Sequence, residues 1–319
     1  MMTLTRAECA RILKENDDFT ILTHGGPDGD TLGSAAALCR GLRQIGKKAW
    51  VLENPQITER FQHLLEGLTK PEAENRDVLI AVDVAGARMI PEEMRHLAEK
   101  VDLRIDHHGS GTPFAEAELV DSSAAACSEI IYDLLSLLNV NLDTPIANAL
   151  YTAVATDTGC FRYANATGNS FALASECAYV SPDIFKINQR LFDTVTLGRL
   201  RLQSWVVENM QLLQNGRIAV CAIPADIQER LGLADEDMGN LSGFLRSIEG
   251  VKMSATVRQD KEGHTGFSVR AVPGYDAAAV CEKLGGGGHK GAAGAGMMDV
   301  TMEEAMQALL AALPDLSEC

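Results

Sequence analysis

Four short segments of the chain gather the side chains that could do chemistry. His24-Gly25-Gly26-Pro27-Asp28-Gly29-Asp30 offers one imidazole and two carboxylates within a single loop. Mixed oxygen and nitrogen donors of this kind suit hard or borderline divalent metals. The glycines permit the tight backbone that would converge them, and Pro27 stiffens it; taken alone, Asp-Gly-Asp is equally a turn. Asp83 ends the apolar run from Val78 to Val82, as a loop cap or as a site carboxylate. In Ile105-Asp106-His107-His108-Gly109 consecutive side chains at a strand end point to alternate faces, so the two histidines should not do identical work. One can ligate metal while the other reaches a phosphate or leaving group, with Asp106 orienting a histidine from behind. Asp157, in Thr156-Asp157-Thr158-Gly159, closes a helix expected to begin near Pro145. His24, Asp28, Asp30, Asp83, His107 and Asp157 together suffice for two metal ions sharing one bridging carboxylate, the arrangement that activates a water and clamps a phosphoryl group.

Such groups need a scaffold that brings them to one place. Residues 19–23, 48–52, 78–84 and 103–106 read as continuous apolar runs, the signature of buried parallel strands. Between them 34–45, 59–68 and 91–100 read as helices. The fold class is therefore α/β, a mostly parallel sheet flanked by helices. His24, Asp83 and Asp106-His107-His108 fall at the carboxyl ends of these strands, where open α/β sheets place their ligands. Helices are expected to dominate from 123 to about 214, with 197–213 as one long helix between domains. After Asn215-Gly216 the pattern restarts, with strands at 217–223, 251–258 and 266–272 and a helix at 276–284. The expected division is a catalytic domain at 1–190, a helical linker at 191–214 and a smaller α/β domain at 215–319.

The second domain carries its own candidates. One glycine of Gly285 to Gly288 could cap the preceding helix, but four in a row exceed that need. Consecutive glycines let backbone N–H groups approach an anion, with His289 and Lys290 adding donors and charge. Strand alternation puts Ser268 and Arg270 on one face, and an arginine there is a natural bidentate phosphate clamp. Arg162 is a weaker candidate of the same type. Phe161 or Tyr163 could stack on a base, with core packing claiming at least one of them. His63, His96 and His264 match no pattern and read as surface residues.

Composition limits the partners. The 319 residues carry a formal charge of −16, which disfavours long nucleic acid, since that affinity comes mainly from Lys and Arg neutralising many phosphates. A small phosphorylated ligand is not excluded. The eight cysteines form no C-x-x-C pair, so reduced thiols are expected and a structural zinc site is not. No signal-peptide pattern and no apolar stretch of bilayer length is present, and a cytoplasmic protein is expected.

The four segments resemble the signature motifs of the DHH phosphoesterase superfamily, and Gly286-Gly287-Gly288-His289-Lys290-Gly291-Ala292-Ala293-Gly294 resembles the glycine–histidine motif of the DHHA1 domain. The likeness spans nearly the whole chain, in the family's order and spacing, and no ligand position is missing. The compact layout is similar to the NrnA-type branch, oligoribonucleases that also act on 3′-phosphoadenosine 5′-phosphate (PAP). The resemblance implies two Mn²⁺ ions, with Mg²⁺ or Co²⁺ as substitutes: His24 and Asp28 on one, Asp30, His107 and Asp157 on the other, and Asp83 bridging. His108 is the candidate for contacting the scissile phosphate or assisting the leaving group, and Asp83, as the bridge, is catalytic as well. The resemblance assigns Gly286, Gly287, Gly288 and His289 to gripping the substrate's phosphate or nucleotide and extends to Ser268 and Arg270, while Arg162 is a weaker substrate-binding candidate. The implied activity is hydrolysis of short RNA and linear dinucleotides to mononucleotides, and of PAP to AMP. No long duplex and no membrane partner is expected, and there is room for a homodimer. Two alternatives stay open: a cyclic di-AMP phosphodiesterase using the same site, and a nucleotide-binding regulator that uses the second domain as a sensor.

Overall fold

In the computed structural model, which describes residues 2–74, 77–109, 111–260 and 263–316, the chain divides into two units. One runs to Thr194 and the other starts at Val195. The first unit is built on seven strands: β1 (Met2–Thr3), β2 (Phe19–Leu22), β3 (Ala49–Leu52), β4 (Thr69–Lys70), β5 (Val78–Val82), β6 (Leu103–Asp106) and β7 (Ala117–Val120). Their spatial order is β1-β7-β6-β5-β2-β3-β4, and every pairing is parallel. From β2 the chain moves outward through β3 and β4, then returns to the other side of β2 at β5. The switch point thus lies between β2 and β5, the position at which open sheets leave a crevice at their carboxyl ends. His24 follows β2 and Asp83 follows β5, so the expected site residues border this crevice.

Buried strands explain the continuous apolar runs. Phe19, Ile21, Leu22, Ile80, Val82 and Ile105 are all fully buried, with helices Gly29–Gln44, Cys127–Leu137 and Thr144–Asp157 among the elements contributing to the main core. Two of these helices approach closely because of glycine. A Cβ at Gly33 would run into the carbonyl of Ala149, and one at Gly29 into the Thr156 side chain. Helix Gly29–Gln44 begins earlier than the predicted residue 34, because Asp28 caps it, accepting from the N–H groups of Asp30 and Thr31 at 3.0 and 3.1 Å. The expected helix at 59–68 is one short α-turn followed by a 3₁₀ turn, and 92–100 is 3₁₀ throughout.

The second unit holds a mixed sheet of β8 (Gln211–Leu213), β9 (Ile218–Ile223), β10 (Met253–Gln259), β11 (His264–Ala271), β12 (Gly287–His289) and β13 (Ala292–Met298), in the order β12-β13-β11-β10-β9-β8. The long helix expected over 197–213 stops at Asn209, and 211–213 form a strand instead. The cause is the turn that follows. Gln214 and Asn215 take left-handed backbone, with Gly216 beside them, so β8 folds back antiparallel onto β9. Helix Leu197–Asn209 also packs as part of this unit, with Leu202 and Val206 buried beside Ala219 and Cys221.

Cys9, Cys39, Cys127, Cys177, Cys221 and Cys281 are buried free thiols, and Cys160 is half-buried and also free; Cys319 lies outside the described residues. Among the described residues no helix is long and apolar enough to cross a membrane.

Candidate metal centre

The six expected ligands converge at the carboxyl end of the parallel sheet. Their donor atoms fall into groups that share Asp83 and His107: His24 with Asp28 and Asp83, and Asp30 with His107 and Asp157, while Asp83 also meets His107 and His108. Asp83 Oδ2 lies 3.8 Å from His24 Nε2, which is also 3.7 Å from Asp28 Oδ1. The other oxygen, Oδ1, lies 3.4 Å from His107 Nε2. The same His107 nitrogen is 3.8 Å from Asp30 Oδ2 and 3.6 Å from Asp157 Oδ2. One carboxylate therefore faces two ligand groups with its two oxygens.

Three of these residues, His24, Asp30 and His107, are held from behind. His24 Nδ1 bonds the Gly25 carbonyl at 2.9 Å, leaving Nε2 for the crevice, while Asn54 donates to the His24 carbonyl. Asp30 accepts from the N–H groups of Cys127 (2.6 Å) and Ser128 (3.2 Å) at the start of helix Cys127–Leu137, and from the Ser34 hydroxyl (3.0 Å). His107 Nδ1 lies 3.2 Å from the Ala124 carbonyl. Asp83 itself has left-handed backbone, φ 60°, an unusual state for a non-glycine residue that clusters at functional sites.

Electrostatically the cluster calls for cations. Burial, followed by repulsion from Asp30 and Asp28, drives the Asp83 carboxyl well above the usual range and lifts Asp157 to about 8. Burial also raises Asp30. Burial works against it, but His24 and the N–H groups of Thr31 and Asp30 together hold Asp28 low. Asp83 Oδ1 is buried and makes no hydrogen bond among the described residues, an arrangement whose cost a positive ligand would relieve. An oxygen-and-imidazole donor set around an orphaned carboxylate oxygen fits divalent metal.

His108 plays a different part from His107. Its Nδ1, the nitrogen 3.5 Å from Asp83, already bonds Asp106 Oδ1 at 2.8 Å. Asp106 also accepts from the N–H groups of His107 and His108 and from the buried Arg104. Although burial works against it, these His108 and Arg104 contacts hold the Asp106 carboxyl down at about 2. Arg104 bonds Glu118 as well, at 3.2 Å. Arg104 was not among the sequence candidates. Its signal was a charged residue inside an apolar strand, two positions before Asp106 and hence on the same side.

The remaining candidates belong to other segments. Arg162 is exposed and spends its Nε on the Gly159 carbonyl at 2.7 Å. Phe161 packs between Tyr151 and Phe171, with ring centroids 6.0 and 5.1 Å away, while Tyr163 lies over Gly159. In the second unit, pairing aligns Ser268 with Gly294 and Gly287, and Arg270 with Ala292 and His289. Directly paired residues share a face, so Ser268, Arg270, Gly287 and His289 rim a floor of small residues. Arg270 Nη1 touches Ser268 Oγ at 3.3 Å, and Ser268 meets Ser242 at 2.9 Å. The glycine run is a hairpin strand and not a free loop: Gly285 and Gly286 spend their N–H groups on Glu282 and Cys281, closing the helix Ala277–Lys283. Gly286 and Gly288 are required because a Cβ at either would strike β13.

Residues 18–156 match the DHH family, N-terminal domain, and residues 215–317 match the DHHA1 domain. The chain is similar to the bifunctional oligoribonuclease and PAP phosphatase NrnA of Thermus thermophilus, 32% identical over 298 residues that span 92% of this chain and 88% of that protein. It is also similar to the cyclic-di-AMP phosphodiesterase GdpP of Geobacillus thermodenitrificans, 26% identical over 96% of this chain and 49% of that protein. In fold it matches an exopolyphosphatase-related protein from Bacteroides fragilis with a TM-score of 0.83, covering 96% of this chain and 95% of that one at 24% identity.

Proposed function

The chain belongs to the DHH family and carries the DHHA1 domain, and from that premise we propose a phosphoester hydrolase that cleaves short oligoribonucleotides and linear dinucleotides to mononucleotides and converts PAP to AMP. The observation that carries the reaction is Asp83, whose two oxygens face two separate ligand groups. The substrate class rests on the similarity to the oligoribonuclease and PAP phosphatase of T. thermophilus.

In this reading His24 and Asp28 would hold one divalent ion and Asp30, His107 and Asp157 another, with Asp83 available to both; Mn²⁺ is the proposed metal. Two such ions supply Lewis acidity toward the phosphate and activation of the attacking water. The chain's own work is to aim the groups around them. His108 donates its Nδ1 proton to Asp106, which leaves Nε2 as the atom that contacts the scissile phosphate or passes a proton to the leaving oxygen. Asp106, pinned by Arg104, fixes that ring. Arg270, with Ser268 and His289 on the same sheet face, grips the substrate's phosphate. The acidic remainder of the chain disfavours long polymers, since it offers few cations for an extended backbone.

The test is a substrate panel of PAP, pApA, pGpG, cyclic di-AMP and a 24-mer RNA, each with Mn²⁺ and with Mg²⁺. Fast turnover of PAP and the linear dinucleotides, with slow turnover of the 24-mer, is the expected result. Cyclic di-AMP hydrolysed faster than pApA would favour the second reading, a cyclic-dinucleotide phosphodiesterase, which the likeness to GdpP supports.

A further inference from the structure

We propose that the first unit has a second ligand site, a cavity separate from the metal cluster that takes a small organic phosphomonoester. The cavity measures about 450 Å³, within the range of small-ligand sites. None of the six metal-ligand candidates lines it. Its inner wall is formed by Arg40 from helix Gly29–Gln44 and by Asn148 and Thr152 from helix Thr144–Asp157, and its rim carries His63, Lys186 and Arg190.

Two buried polar atoms at this wall are unsatisfied. Thr152 is 1% exposed, and its hydroxyl makes no hydrogen bond. A helical threonine normally turns its hydroxyl to a carbonyl one turn back, as Thr156 does to Thr152. Arg40 donates through Nη2 to the Leu64 carbonyl at 3.3 Å, but its buried Nε has no partner. Burying a donor without a partner is unfavourable, and two on one cavity wall point to a polar ligand that meets them.

Charge selects the class. Arg40, Lys186 and Arg190 set three positive charges against one carboxylate, Asp183, which pairs with Lys186 at 2.8 Å. That excess matches a dianion, and it stands out in a chain of formal charge −16. His63 is pushed below its ordinary value by burial and then by Arg190, which places those two groups together at the rim. Leu64, Pro145, Ile187 and Leu191 form apolar walls, so the dianion should carry an apolar or aromatic body. A phosphomonoester has that charge near neutral pH, and a guanidinium is its natural fork.

Calorimetric titration of the full, Mn²⁺-loaded chain tests this with AMP, phenyl phosphate and adenosine. Two AMP steps per chain are expected, one of which weakens about tenfold or more in both Arg40→Met and Arg190→Gln. Phenyl phosphate should show the same sensitive step, and adenosine should not. Dinucleotide turnover without added AMP should be unchanged in both variants. Because Arg190 is exposed, its variant decides the matter if Arg40→Met folds poorly. A wild type with no AMP step that the two variants weaken would overturn the proposal. So would a second step that neither variant weakens, or adenosine binding as tightly as AMP.

Discussion

Asp106 and His108 form a 2.8 Å hydrogen bond on the side of the imidazole away from Nε2. Arg104, buried beneath them, bonds Asp106 and Glu118 together. Three groups with no direct place among the metal-ligand candidates thus set the direction of one ring. Asp106→Asn should keep the shape but lose the charge that aligns His108 and neutralises Arg104. The expected loss is about 10–100-fold in kcat, with KM for pApA nearly unchanged. A rise in KM at constant kcat would show that Asp106 serves binding instead.

Asp83→Asn tests the shared carboxylate from two sides. Turnover should fall by roughly a thousandfold or more, as expected when a bridging anion is lost. The metal-free variant should meanwhile be more heat-stable than the metal-free parent near pH 8, because a buried carboxylate repelled by its neighbours has gone. Asparagine tolerates the left-handed backbone that position 83 requires. Equal melting temperatures would argue against stored repulsion.

Without metal, stability should fall as pH rises from about 4 to about 8. Asp157 titrates near 8 in the folded chain against an ordinary 3.8, and Asp30 and Asp83 shift the same way. Across that window the folded state holds protons that the unfolded state has released, so raising the pH favours unfolding. Mn²⁺ should flatten the slope. Below about pH 4 the opposite contribution appears: Asp106, held near 2 in the fold, loses its stabilisation as it protonates. Melting curves with EDTA and with Mn²⁺, from pH 3 to pH 8, measure both limbs.

Gly33→Ala places a methyl against the Ala149 carbonyl. The two helices carrying Asp30 and Asp157 must then separate, at a cost of about 1–3 kcal/mol. Metal affinity should drop together with stability. A stable variant with unchanged Mn²⁺ binding would mean that this contact does not position the ligands.

Arg270→Gln should raise KM for pApA about tenfold while leaving hydrolysis of a small artificial ester, bis(p-nitrophenyl) phosphate, unaffected. An equal loss on both substrates would place Arg270 closer to the reaction than its sheet face suggests.

The candidate metal ligands were legible because each follows an apolar strand or ends a helix, so local pattern already fixes where the side chain emerges. Asp28 carries two signals at once. The surrounding Gly-Pro-Asp-Gly resembles a turn, and this hid the helix start that the same carboxylate caps. The hairpin of β12 and β13 was not foreseen, since Ala-Ala-Gly-Ala-Gly has little strand propensity of its own and pairs because β11 supplies an edge. Asn215-Gly216 reads as a boundary in the sequence, but it is the turn that makes 211–213 a strand. The unsatisfied hydroxyl of Thr152 has no sequence signature at all, because the lack of a partner is a property of packing.

The switch point between β2 and β5 has a consequence for biosynthesis. It draws His24 and Asp157 into one cluster although most of the first unit lies between them. A ribosome releases these segments in order, and no emerging fragment that stops short of residue 157 contains the whole ligand set. If the proposed function holds, the nascent polypeptide should therefore turn over no phosphoester until the helix that ends at Asp157 has docked, a delay built into the order of synthesis.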